Sequence, residues 1–257
     1  MISCICVTRG DRLSMLADAI GDFARQTFAD RELVVLHDGD KQCHEAIETL
    51  AQAYLGQTIR VKCASKGPNL GALRNLAIAS ARGDWICQWD DDDRYHPLRL
   101  QLQWDSASAK GAPVNYLTDQ LHWFRADHLL FWDDWDREPY PMNVVQGTIL
   151  ARRDILPLYP DLPAGEDTLL TQALLRASVE QGFGIARLKG AGWCYIYSYH
   201  GQNVWNAAHH RAISTLKHLP PEKLLSRLPK LRARLAEYSP PVPGLSVPVG
   251  KELVSLS

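Results

Sequence analysis

The chain has 257 residues, 46% of them hydrophobic and 22% charged, with 28 basic against 29 acidic side chains. That length suits one large α/β domain or a domain with an appendage, and the composition is ordinary for a globular protein. A formal charge of −1 excludes a field that would gather nucleic acid, and no stretch reaches the ~18 apolar residues of a membrane span.

The opening MISCICVTRG enters a strand pattern at once, without the basic segment or apolar length of a secretion signal. A cytoplasmic location is therefore expected. The cysteines, Cys4, Cys6, Cys43, Cys63, Cys87 and Cys194, form no C-x-x-C pair and are widely spread. Neither a zinc knuckle nor a disulfide framework is indicated. Cys4 and Cys6 fall on one side of a strand and read as small buried hydrophobes.

The run ISCICV (2–7) predicts a buried strand. Leu13, Leu16, Ala17, Ile20, Phe23 and Ala24 then recur at helical spacing, with Asp11 placed to cap that helix. ELVVL (32–36) is a second strand, stopped by HDGD. Ala46, Ile47, Leu50, Ala51, Tyr54 and Leu55 predict a second helix, and IRVKC (59–63) a third strand. After the loop KGPNLG comes a helix carrying Leu73, Ala77, Ile78 and Ala81, ended by Gly83; WICQW (85–89) is the fourth strand. This order implies an α/β fold with a mostly parallel sheet flanked by helices on both faces. Right-handed connections put all the strand ends on one edge, outside which such sheets bind ligands. Thr8, Asp38 and the run from Asp90 onward fall at that edge.

The second half is less regular. Residues 121–143 are aromatic and acidic and broken by Pro139 and Pro141, while 144–156 read as a strand meeting a short helix. A helix is expected from Glu166 to about Gly182, and a strand over 193–203 that stops at His200-Gly201. From His209 the chain becomes basic and proline-punctuated. The expected division is a regular α/β half over 1–105, a less regular half of the same domain over 106–208, and a basic, proline-containing helical extension over 209–257.

Asp90 to Asp93 follow an apolar strand directly. Four like charges repel unless something positive sits among them. A solvated loop is one reading; a divalent cation with an anion behind it is the sharper one, and the convergence of Thr8 and Asp38 on the same edge favours it.

Several pieces in order resemble the family 2 glycosyltransferases of the GT-A fold: the strand ending in Thr8, RQTF, HDGD, GALRNLAIASARGDWI, WDDDDRYHPLRLQLQ and, later, GEDTLL. The resemblance is close over about the first 105 residues and looser over 147–203. It implies transfer of a sugar from a nucleotide-diphosphate donor, a UDP-sugar in the first place, to a hydroxyl of a carbohydrate or lipid-linked acceptor. It implies nucleotide-sugar binding for the half over 1–105, and acceptor binding and catalysis for the half over 106–208. It also implies inversion at the anomeric carbon and Mn²⁺ or Mg²⁺ as cofactor. Breaking a bond to diphosphate builds negative charge that such an ion neutralises, and such ions are held by one or two carboxylates plus phosphates and water.

By this resemblance Asp90-x-Asp92 matches the D-x-D motif. Asp92 is then the principal metal ligand, Asp90 or Asp91 reaches the ribose or the metal through water, and Asp93 caps the following turn. Asp38 would accept the N–H of the base, with Thr8 lining the same pocket, although HDGD also reads as a simple turn. Arg74 and Asn75, at the start of a helix after a glycine loop, could face a phosphate or simply lie on an exposed helix face; Lys66 is a lesser candidate. Asp167 of Glu166-Asp167 would be the general base that takes the acceptor proton, against the plain reading of a first-turn cap. Glu166, Trp132 and Trp135 are assigned to the acceptor, with core packing the alternative for the tryptophans near Trp123 and Phe124. His200 is a third metal ligand or an ordinary hydrogen-bonded histidine. The basic C-terminal segment either touches the inner face of a membrane or packs as an amphipathic helix.

Competing functions are weaker. A nucleotidyltransferase needs a glycine-rich basic loop after the first strand, which VTRGDRLSML lacks. A dinucleotide oxidoreductase needs G-x-G-x-x-G, and a calcium loop needs a sixth-position glycine and a closing glutamate; neither is present. A non-catalytic nucleotide-sugar or glycan-binding module of the same fold remains as the alternative.

Overall fold

The computed structural model describes residues 1–242 and 244–256. Its first part follows the expected alternation: β1 (Ile2–Thr8), α1 (Leu13–Ala24), β2 (Arg31–His37), α2 (Lys41–Gln52), β3 (Ile59–Cys63), α3 (Leu70–Ser80) and β4 (Trp85–Gln88). The capping differs in one place. Asp11 lies inside a single 3-10 turn before α1 and makes no cap, because Arg12 takes the cap position. Asp40 caps α2 by accepting from the Cys43 N–H at 2.9 Å.

The elements that follow are β5 (Arg94–Tyr95), α4 (Arg99–Ala109), β6 (Val114–Leu117), β7 (Asp119–Phe124), β8 (Leu129–Asp134), β9 (Leu150–Arg152) and α5 (Glu166–Gln181). After them come β10 (Ile185–Leu188), β11 (Tyr195–Tyr199), α6 (Ala207–Lys217), α7 (Pro221–Leu235), β12 (Ser246–Val249) and β13 (Glu252–Ser255).

The main sheet runs β10-β6-β9-β4-β1-β2-β3. Its neighbours pair in parallel except around β9, which is antiparallel to β4 and β6. Alternation along β1 feeds two cores. Ile2, Cys4 and Cys6 pack with Leu16, Ile20 and Phe23 of α1, while Ile5 packs with Leu73 of α3 and Leu170 and Leu174 of α5. Helices therefore cover both faces, as the buried strands require. A side chain at Gly71 would fall onto the backbone carbonyl of Pro160, so α3 can approach the 159–163 segment only with glycine there.

A second sheet, β13-β12-β8-β7-β11-β5, is built from the half that read as irregular. Its centre is the β7–β8 hairpin, in register from Asp119↔Asp134 to Phe124↔Leu129. All six residues of β7 are buried, so neither face shows the polar alternation that marks a half-exposed strand. The expectation of a helical extension over 209–257 is corrected in its last part, since β12 and β13 join this sheet beside β8. Leu224, Leu228, Leu231 and Leu235 of α7 are buried, and three of its basic residues lie over tryptophans, Arg227 on Trp132 and both Lys230 and Arg234 on Trp193. That is the packed amphipathic helix of the two readings. Among the described residues no helix is long and apolar enough to cross a membrane.

Candidate active site

The acidic run leaves the carboxyl end of β4 beside the end of β1, because those strands are paired in parallel. It is held from its far end. Arg94 clamps the buried Asp22 of α1 through Nε at 2.8 Å and a second nitrogen at 3.2 Å, and the Tyr95 N–H donates to the same carboxylate. Asp93 does not cap a turn as expected; it accepts from the Tyr195 hydroxyl at 2.5 Å and the Ser198 N–H at 2.8 Å, which ties the run to β11.

The other three carboxylates meet cations supplied by the chain itself. Asp90 accepts from Arg74 at 2.7 Å and from Gln88 Nε2 at 2.8 Å. Asp91 accepts from the Thr8 hydroxyl at 2.6 Å and from Arg12 at 3.1 Å. Asp92 Oδ2 accepts from the same Arg12 nitrogen at 2.9 Å and lies 3.0 Å from His200 Nε2. Burial and the neighbouring Asp92 charge push Asp91 up to about 7, and burial with Asp92 and Asp90 drives Asp93 far above the carboxylate range. Burial also raises Asp92, but the His200 hydrogen bond and the Arg12 charge outweigh it and hold that carboxyl below its usual range. The four carboxyls thus differ: burial and like charges raise Asp91 and Asp93, while Asp92 is held below its usual range.

Arg74 is buried, which excludes the exposed-face reading. Its fork joins Asp90 to Glu166, the latter at 2.5 Å, and so links the end of β4 to the first turn of α5. Asn75 faces no ligand space; its amide donates to the Tyr159 carbonyl and accepts from the Tyr159 N–H, both at 2.8 Å. Trp132 is corrected from acceptor contact to core: it is 1% exposed, with Nε1 donating to Asp119 at 2.7 Å. Lys66 sits on an exposed loop.

A cavity of about 510 Å³ opens over these groups, and Arg74, Asp90 to Asp92, Glu166 and Asp167 line one part of it. Asp167 is not the helix cap, since Gly165, at φ 73°, holds the cap position and Asp167 accepts from the Thr168 N–H at 2.7 Å. Trp135 lines the same cavity; Thr8 and Asp38 do not. Asp38 lies half-buried beyond β2, outside this space. Sequence reasoning missed Arg12 and the second-sheet wall. For Arg12 the available signal was its place one turn beyond β1, on the ligand-binding edge.

Whether a divalent ion suits these residues is a question of donor chemistry. Among the described residues no three His, Cys, Asp or Glu side chains already converge as a cage. Asp92 and His200 do meet at 3.0 Å, and a carboxylate with an imidazole is a donor pair that Mn²⁺ or Mg²⁺ accepts when phosphate and water complete the shell. The donors fit the ion; the ion would compete with Arg12 for Asp92.

His210 of α6 also lines the cavity and is 3% exposed; burial, then His122 and His209, push it down to about 4. An unfolded histidine takes its proton near pH ~6.5. Between these values the unfolded chain binds a proton that the folded chain refuses, so this contribution to stability is complete above pH ~6.5 and is lost as pH falls through about 4. In urea denaturation, the stability difference between wild type and His210→Gln should vary with pH by about one proton across that window. A difference that stays flat would show His210 titrating normally.

Residues 3–143 match the family model described as glycosyl transferase family 2. A cholesterol galactosyltransferase of Borreliella burgdorferi is 26% identical over 96 residues, 37% of this chain and 26% of that protein. The succinoglycan biosynthesis protein ExoO of Rhizobium meliloti is 32% identical over 83 residues, 32% of this chain and 23% of that protein. The match thus spans about a quarter of the length of these relatives. Among solved structures, S. aureus TarS 1–349 in complex with UDP-GlcNAc superimposes with a TM-score of 0.60 at 14% identity, over 93% of this chain and 67% of that one. The mannosyltransferase PcManGT from Pyrobaculum calidifontis, in complex with GDP-Man and Mn²⁺, gives 0.60 at 10% identity, over 88% and 64%. These structures share the GT-A fold.

Proposed function

Since the chain belongs to glycosyl transferase family 2, we propose that it moves a sugar from a nucleotide-diphosphate donor to an acceptor hydroxyl, with inversion and with a divalent cation. The observation that carries this is one cavity, at the carboxyl edge of a parallel sheet, lined both by Asp90 to Asp92 and by Asp167. The diphosphate belongs at the first group and the acceptor oxygen at the second.

Asp92 and His200 would hold the cation, which supplies charge neutralisation for the departing diphosphate. Arg74 keeps Asp90 and Glu166 in place and thereby fixes the start of α5, on which Asp167 stands. Asp167 takes the proton of the acceptor hydroxyl as that oxygen attacks the anomeric carbon. Asp38, just beyond β2 and outside the cavity, is assigned to the base on the family resemblance alone. UDP is the favoured nucleotide, in line with the UDP-GlcNAc that TarS binds, and a carbohydrate or a lipid-linked molecule is the acceptor class.

The test is calorimetry with UDP, GDP and dTDP, each with and without Mn²⁺, on wild type and Asp92→Ala. Binding of UDP that needs Mn²⁺ is expected, weakened at least about tenfold in the variant while the fold persists. A folded wild type that binds none of the three would overturn the donor assignment and favour a glycan-binding module.

A further inference from the structure

The two ends of the cavity differ in chemistry. Around β4 and α5 the wall is ionic. The lining residues contributed by β7, β11 and α6 include no Lys, Arg, Asp or Glu. Here His122 Nε2, Trp135 Nε1 and both ring nitrogens of His210 are buried with no hydrogen-bond partner. The backbone of Trp205 leans on His210 without reaching hydrogen-bond geometry. His122 and His210 lie edge to face at 5.3 Å, so their unpaired nitrogens neighbour one another, and Trp135 lines the same cavity. Lys217 lies over the Trp135 ring but is paired with Glu138, so it brings no free charge.

At the rim stands Trp205, 51% exposed and backed by His209 in a stack of 4.9 Å. It sits between Gly201, at φ 86°, and Asn206, the cap of α6, on a segment that is neither helix nor strand. Buried polar nitrogens without partners are costly unless something pairs with them. A large aromatic face kept open beside them is a surface for a ligand with an apolar side.

We propose that this end of the cavity is a subsite for an uncharged pyranose ring of the acceptor, stacked on Trp205 with its hydroxyls on His210, His122 and Trp135. A sugar ring carries both parts at once: a C–H face, and hydroxyls that donate and accept. A neutral imidazole offers one donor and one acceptor, and an indole N–H one donor, which matches hydroxyl groups. An anion would find no cation here, and an acyl chain would leave the nitrogens unpaired. The assignment rests on the transfer reading, since Asp167 borders the same cavity and would receive the proton of a hydroxyl on this ring.

Saturation-transfer NMR tests it, with methyl β-D-glucopyranoside, methyl β-D-galactopyranoside and methyl N-acetyl-β-D-glucosaminide as probes, and methyl β-D-glucuronide as the charged control. Each is measured with and without UDP and Mn²⁺ on wild type, Trp205→Ala and Trp205→Phe. At least one neutral glycoside should bind wild type, lose at least about tenfold in affinity in Trp205→Ala, and recover in Trp205→Phe. Nucleotide affinity should stay within about twofold throughout, because Trp205 stacks on His209 and makes none of the contacts that hold Asp90, Asp91 or Asp92. The subsite is overturned if no neutral glycoside binds, if Trp205→Ala binds as well as wild type, or if the glucuronide binds best. Absence of nucleotide binding by wild type overturns the donor assignment alone, and the glycoside results without UDP still decide this one.

Discussion

Asp167→Asn should bind donor nucleotide like wild type and lose transfer by about 10²- to 10⁴-fold, the range associated with a positioned general base. The substitution keeps the size of the side chain and an oxygen able to accept from the Thr168 N–H, so the first turn of α5 should stand. What it removes is the ability to take a proton. An acceptor hydroxyl has too high a pKa to attack unassisted, and the departing diphosphate does not help it lose that proton. Steady-state rates with calorimetry on the same samples separate the outcomes. A fall in kcat with unchanged nucleotide affinity assigns the base to Asp167. A rise in KM alone would make Asp167 an acceptor-positioning residue, and unchanged rates would move the base elsewhere in the cavity.

The second large effect is on stability. Replacing Arg74 by Met leaves Asp90 and the buried Glu166 facing each other without the cation that both contact. Removing one partner of a buried ionic cluster costs about 3–5 kcal/mol, because the remaining charges stay desolvated. Urea denaturation at pH 7 should show a loss of that order. Burial raises both carboxyls above their usual range even with Arg74 present, and losing the cation pushes them further. The deficit should therefore shrink as pH falls and both groups take up protons. A double variant, Arg74→Met with Glu166→Gln, should recover part of the loss, since it removes one of the two unpaired charges. Arg74→Lys should not restore wild-type stability, because one ammonium replaces a fork whose two nitrogens reach Asp90 at 2.7 Å and Glu166 at 2.5 Å. A loss below about 1 kcal/mol in the Met variant would mean that the carboxyls are already neutral in the wild type.

The first hundred residues were legible because their structure is written in local periodicity. Strands buried on both faces show as continuous apolar runs, and α1 to α3 show as apolar stripes, so the parallel sheet and its ligand-binding edge follow from pattern and handedness. The carboxylate run at the end of β4 and the start of α5 at Glu166 could be placed the same way. The second sheet could not. The β7 strand is buried on both faces yet mixes Asp119, Gln120 and His122 with apolar residues, so it carries neither an apolar run nor an alternation. Its partner β11 lies some seventy residues further along the chain, and β12 lies further still.

The sequence alone determined which residue types stand at the sheet edge and in what order. Only the tertiary structure decided their company. Arg12 and Arg74 came to the carboxylates, Trp132 went to the core while Trp135 remained on the cavity, and His200 reached Asp92 across more than a hundred residues. The physical reason is that a side chain's ionisation and role depend on burial and on partners brought together by packing. Sequence separation carries neither, so the same Asp can be a solvated turn residue or a buried acid according to what folds against it.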